Sequence, residues 1–259
     1  MHFWIPILFV TVSLLSGACN RIEARVDADK GYRAFMAKDY EGAISLYDEA
    51  HRLTPNDTSV MRNLGYAHLS LAQQSTSSAI ASQHYIEAIK HLEKVVKEDP
   101  DDKELAGVML EAWTQSDRLD EAAKFYHERA SLAPKDPEAW RLLGMVEMRR
   151  GNYQAALDTY DRRQKLSPDD AQLYAAKATL CWEWLRSGGP PDAARAIDVA
   201  SLGLEAALQA VKRDPKHPSA LVYAGLLLRQ RAARQTETSS AAHDLMEAQK
   251  YLQMVKAHH

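Results

Sequence analysis

Pro100, Pro134 and Pro168 stand 34 residues apart, and each closes a stretch built to the same pattern. Twelve residues before each is an alanine (Ala88, Ala122, Ala156), and eight before it is Leu92, Tyr126 or Tyr160. Pro55, with Ala43 and Tyr47, sets the pattern once more upstream. A small and a bulky residue four apart share one helix face, and proline stops the helix that carries them. A fixed period of this length marks stacked helical hairpins, each too small to bury its apolar face without neighbours. Arrays of this kind mostly bind other proteins and rarely do chemistry.

The cleanest unit runs through Trp140, Leu143-Gly144, Gly151, Tyr153, Ala156, Tyr160 and Pro168. Gly144 and Ala156 are small where two helices must cross closely. Trp140, Leu143, Tyr153 and Tyr160 fill the space between them, Gly151 ends the first helix and Pro168 the second. On these residues the chain resembles the tetratricopeptide repeat (TPR) family from about residue 24 to 257. The resemblance implies an all-α fold, a right-handed superhelical solenoid of about six helix-turn-helix units near 24–57, 58–102, 103–136, 137–170, 171–217 and 218–257. Unit three lacks the Leu-Gly pair and has Met109-Leu110 there; units five and six match less closely, with Gly203 at the small position of unit five.

Spacing is uneven, with 45 residues from Pro55 to Pro100 and 47 from Pro168 to Pro215. The surplus falls between the two helices of units two and five, and unit six carries a similar one. It reads as longer helices joined by polar turns around Gln73–Ser78, Ser187–Asp192 and Thr236–Ser240, with Asp192 starting a helix.

Residues 3–18 are uncharged and mostly apolar, short for a membrane span but suited to a signal-peptide core. Leu15-Ser16-Gly17-Ala18-Cys19 resembles the lipobox of bacterial lipoproteins, which implies a leader over 1–18, acylation of Cys19 and a short tether over 19–23. Ser16 stands where the lipobox usually has Leu, and the leader has no Lys or Arg. Ordinary secretory cleavage and an uncleaved anchor are the alternatives. Asn20 rather than Asp after the cysteine implies, in a Gram-negative cell, the periplasmic face of the outer membrane. Cys181, the only other cysteine, reads as a buried small apolar residue.

A formal net charge of −3 gives no basic stripe for nucleic acid. Neither a GxSxG nucleophile, a phosphate-binding glycine loop nor any cofactor motif occurs, and no metal site or catalytic residue is assigned. His127-Glu128 begins like HExxH, but Ser131 stands in place of the second histidine. His84, Glu87 and His91 share a helix face that reads as solvated. These features imply a chain that is not an enzyme.

In the TPR family the first helix of each unit lines a concave groove. Carried over by position, the resemblance implies groove residues Tyr32, Phe35 and Met36 in unit one, and Arg62, Asn63 and Tyr66 in unit two. It implies Arg141, Met145, Met148 and Arg149 in unit four, Trp182 in unit five, and Tyr223, Leu226 and Arg229 in unit six. Aromatics, methionines and arginines are the types enriched at interface centres. The lysines and asparagines with which chaperone-binding TPRs clamp a C-terminal carboxylate are missing apart from Asn63; Ala28, Tyr32, Glu104 and Val108 occupy the other places. The last helix carries Tyr251, Leu252 and Val255 with no polar cap after it, a second surface for a partner or another copy. The whole resembles membrane-tethered TPR lipoproteins of the bacterial envelope that serve pilus and secretion machinery. A secreted or periplasmic TPR chaperone or regulator without a lipid anchor is the alternative.

Overall fold

Each of the period-setting prolines stands two residues beyond a helix end. Helices α2 (Tyr40–Leu53), α4 (Ser78–Glu98), α6 (Leu119–Leu132), α8 (Tyr153–Leu166) and α10 (Ala193–Arg213) stop before Pro55, Pro100, Pro134, Pro168 and Pro215. Between them lie α1 (Pro6–Met36), α3 (Thr58–Gln74), α5 (Lys103–Gln115), α7 (Pro137–Arg149), α9 (Ala171–Arg186), α11 (Pro218–Ala232) and, last, α12 (Thr238–Ala257). The structure is a computed structural model that describes residues 6–100 and 102–257. Among these residues the fold is all-α, twelve helices packed pairwise as about six consecutive helix-turn-helix units.

Aspartates start half of the twelve helices. The side chains of Asp57, Asp102, Asp136, Asp170 and Asp192 each accept a backbone N–H from the first turn. Each such cap contributes about 1 kcal/mol. The first helix of a pair ends in a tight reversal. In three pairs the residue at the same repeat position is left-handed: Lys38 (φ 63°), Asp117 (φ 57°) and Gly151 (φ 75°). The hydrogen bonds match too: Asp39, Arg118 and Asn152 donate back to the carbonyls of Ala34, Trp113 and Glu147.

The chain divides into two compact units, residues 1–122 and 123–259. In the first, α1 packs on α2, α2 on α3, α3 on α4 and α4 on α5. Tyr47 and Leu64 fill one of its cores and are wholly buried, as are Leu92, Leu105 and Trp113. In the second, α7 packs on α8, α8 on α9, α9 on α10, α10 on α11 and α11 on α12. Its core holds Leu157, Leu180, Cys181, Val199, Leu204 and Leu227.

The surplus residues lengthen helices. α3 and α4 have 17 and 21 residues and α9 and α10 have 16 and 21, against 13 and 14 for α7 and α8. Gln73 and Gln74, expected in a turn, lie in α3, which leaves only Ser75–Ser77 as the connection. Residues 19–23, expected as a tether, are also helical, and just beyond them Ala24 is buried and Ala28 packs beside Ala50 and Val60. The first part of the expected leader, residues 1–5, and His258-His259 lie outside the described residues. Among the described residues no helix is long and apolar enough to cross a membrane.

Two substitutions probe the turns and crossings. Lys38→Gly relieves a left-handed backbone that costs a side chain about 1–2 kcal/mol; set against about 0.5–1 kcal/mol for the greater chain entropy of glycine, it should raise unfolding stability by about 0.5–1 kcal/mol. Gly203→Ala places a Cβ 2.6 Å from the Cβ of Cys181, a short side chain that cannot swing aside. Overpacking of about 1–3 kcal/mol should exceed the helix-propensity gain of about 1 kcal/mol, so the urea midpoint should fall.

Candidate functional site

In the N-terminal unit, α1 and α3 bound an open hollow of ≈ 990 Å³. Arg21, Arg25, Asp29 and Tyr32 line it from α1, Ser59 and Asn63 from α3, and the α2–α3 turn from Leu53 to Asp57 forms its floor. Tyr32 and Asn63, both expected in the groove, therefore share one concave wall. Tyr32 is 55% exposed, an aromatic ring held open to solvent.

The other expected groove residues of this unit are placed in different ways. Phe35 lies 5.3 Å from the ring of Tyr40 and against the Tyr47–Leu64 core. Met36 is exposed. Arg62 is bound to Asp102, with Asp99 4.0 Å away. Asp102 is the N-cap of α5, so this arginine ties α3 to the start of the next pair. The Leu105 N–H and then Arg62 hold the Asp102 carboxyl below the usual carboxylate range. Arg62 still lines a smaller hollow of ≈ 540 Å³ with Thr58, Asn63 and Glu98. Tyr66 is half-buried, and burial first, then Glu104, pushes its hydroxyl pKa up.

In the C-terminal unit, Trp182 on α9 and Tyr223 on α11 meet with ring centroids 5.6 Å apart. Arg186 lies 5.4 Å from the Trp182 ring. Met148 on α7 packs elsewhere against the same extended apolar cluster. Arg141 is held on its own helix: its guanidinium donates to both carboxylate oxygens of Glu138 at 2.7 and 2.6 Å and contacts the sulfur of Met145 at 2.7 Å. Arg149 and Arg229 are exposed, at or near the ends of α7 and α11. Leu226 is half-buried.

The last helix turns much of its apolar face inward. Leu252 fills the space above Gly225, and Tyr251 joins the core cluster. Leu245, Met246 and Met254 remain exposed. Arg231 donates to both oxygens of the buried Asp244 at 2.7 Å, fixing α12 to α11.

The Cys181 thiol is pushed up to about 12 by burial, which leaves it protonated and unreactive. Among the described residues no three His, Cys, Asp or Glu side chains are placed to share a metal ion. The histidines expected on a solvated face are elsewhere: His91 is buried, and with His51, His68 and His84 it forms a cluster joining α2, α3 and α4. The i, i+7 spacing of His84 and His91 was the visible signal. His51 and His68 come from other helices, so only the packing brings the four together.

Models of the tetratricopeptide repeat match residues 79–146 and 137–180. These segments are tetratricopeptide repeats. A TPR array is a scaffold for protein binding and typically non-catalytic. No curated protein matches the sequence. Among solved structures, YrrB, described as a TPR protein with an unusual peptide-binding site, is 16% identical over 75% of this chain and 88% of its own, with a TM-score of 0.43. MamA from AMB-1 is 19% identical over 75% and 93%, and MamA from Desulfovibrio magneticus RS-1 is 16% identical over 74% and 97%, both with TM-scores of 0.43. At such scores the likeness says nothing about what this chain binds.

Trp182 and Arg229 separate packing from display. Trp182→Ala should destabilise the fold by about 2–4 kcal/mol through the cavity it leaves, whereas Arg229→Ala should stay within about 0.5 kcal/mol of the parent. Chemical denaturation of both variants checks the contrast.

Proposed function

We propose that this chain is a membrane-tethered scaffold or assembly factor of the bacterial cell envelope that holds partner proteins along the first helices of its repeats. The observation that carries the binding role is the open wall shared by Tyr32 and Asn63, lined by Arg21, Arg25 and Asp29. It is an amphipathic concave surface with both charge signs and an exposed ring, suited to an extended protein segment. Arg229 and the Trp182–Tyr223 pair supply similar chemistry in the other unit. The tether rests on the lipobox-like run ending at Cys19, whose side chain is exposed. In this reading Cys19 carries the acyl group, the protein faces the periplasm, no nucleic acid or cofactor is used, and no residue is catalytic.

One observation favours a second reading. Helix α1 runs unbroken from Pro6 through Cys19 to Met36, with Ala24 buried, so little chain is free to serve as a tether. A secreted or periplasmic TPR chaperone without a lipid anchor would need none.

Cys19→Ser separates the two. In envelope fractions the parent should sediment with membranes and the variant should be released; equal sedimentation removes acylation as the anchor. A photo-crosslinking residue at Tyr32 should capture one dominant envelope protein, and the same residue at exposed Glu128 should not. Equal capture from both positions would remove the concave wall as the binding surface.

A further inference from the structure

Four of the ten histidines meet at the seam where α2 and α4 flank α3. His68 on α3 and His84 on α4 bring their Nδ1 atoms to 3.1 Å, so one ring must donate and the other accept. Two charged rings cannot make that contact, since each would then present only N–H donors. His68 stacks with His91 at 6.2 Å, the planes 5° apart, and His91 meets His51 of α2 edge-on at 5.4 Å. His68 and His91 are only 8% and 7% exposed. The Nδ1 atoms of His51 and His91 are buried without a hydrogen-bond partner. Such a seam accommodates neutral rings, and of the groups that shift them only Glu87 and Asp48 favour charged ones.

We propose that this histidine cluster makes the N-terminal unit proton-sensitive: on mild acidification, proton uptake forces the rings apart and loosens α2 and α4 from α3. The proposal stands without the scaffold reading. It bears on binding because α3 also presents Asn63 to the concave wall.

The charged neighbours do not cancel the effect. On α4, Lys90 opposes a charge on His51, His68 and His91, and Lys94 opposes one on His51. Glu87 favours a charge on His68 and His91 but is paired with Lys90 at 2.9 Å, and on α2 Asp48 favours one on His51. Among the described residues none of the groups that shift these rings comes from α1 or α5. Burial is the largest influence in all three, followed for His68 by His84 and for His91 by His51. It holds His68 and His91 down to about 4 from an ordinary 6.5, and lowers His51.

The direction of the pH dependence follows. Above pH 6.5 the rings are neutral in folded and unfolded chains alike, and pH has no leverage through them. Between 6.5 and about 4 the unfolded chain takes up protons that the folded chain refuses, so folding weakens as pH falls. Below about 4 both forms are protonated and the loss levels off. At pH 5 the opening equilibrium shifts by about thirtyfold per buried histidine.

The test uses the full chain. NMR of the imidazole rings should show His68 and His91 still neutral well below pH 6. Amide exchange in α2–α4, corrected for its intrinsic pH dependence, should speed up at least about tenfold from pH 7 to pH 5. His68→Gln, which cannot take a proton, should remove much of that acceleration. Rings titrating at the ordinary 6.5 with exchange unchanged would overturn the proposal, as would a folded His68→Gln with the parent's full acid response. If the variant does not fold, the ring titration and exchange of the parent still decide.

Discussion

The close crossing of two helices at a glycine is the contact on which the rest of this structure depends. A Cβ at Gly31 would lie 2.8 Å from the Tyr47 ring, one at Gly65 2.5 Å from Leu92, and one at Gly225 2.8 Å from Leu252. At Gly144 it would run into Thr159. Each glycine lets the partner's side chain lie directly on helix backbone, at packing density close to that of an organic crystal. Glycine costs a helix interior about 1 kcal/mol relative to alanine, so its recurrence at crossings reflects the gain in contact. The long helix α10 places the glycine on the second helix instead: Gly203 receives Cys181 from α9 and Leu227 from α11. That reversal accounts for the burial of Cys181 and so for its unreactive thiol.

The crossings also decide which side chains are left for binding. Once one face of a first helix is committed to its hairpin partner and another to the next repeat, only a narrow strip remains. Tyr32 and Asn63 occupy that strip on α1 and α3. Phe35 does not, because Tyr40 at the start of α2 draws its ring inward. Arg62 is also drawn off, by the carboxylates that start the next pair, Asp102 and Asp99. Helix caps and groove residues thus compete for the same arginine.

The helical repeat was legible because its causes are local. Alanine twelve residues before a proline, with Leu or Tyr eight before it, gives Ala43, Ala88, Ala122 and Ala156, all fully buried. Gly151 and Asp192 announced a helix stop and a helix start, which the left-handed turn and the N-cap show. The candidate groove was less legible. Position in the repeat says where a side chain leaves the helix and says nothing of what waits beside it. Arg141 was expected in the groove, yet Glu138 one turn back grips it. Tyr251 and Leu252 read as an uncapped edge, yet Gly225 gives Leu252 a place on α11. The histidine cluster was only half visible for the same reason: the spacing of His84 and His91 showed on one helix, but His51 and His68 come from two others.

The two units settle buried polar groups in different ways. In the C-terminal unit, Asp244 is nearly inaccessible and takes a two-pronged grip from Arg231, and buried Lys177 reaches Asp161. The Arg231–Asp244 pair must stay matched, because removing Arg231 would strand the nearly inaccessible Asp244 at a cost of about 3–5 kcal/mol. The N-terminal unit places imidazoles at its seam instead. A neutral imidazole escapes the cost of a buried charge by staying unprotonated, an option closed to arginine. It keeps the price conditional on pH. The glycine crossings supply the general architecture, and the choice of polar group at each seam sets how each unit responds to its surroundings.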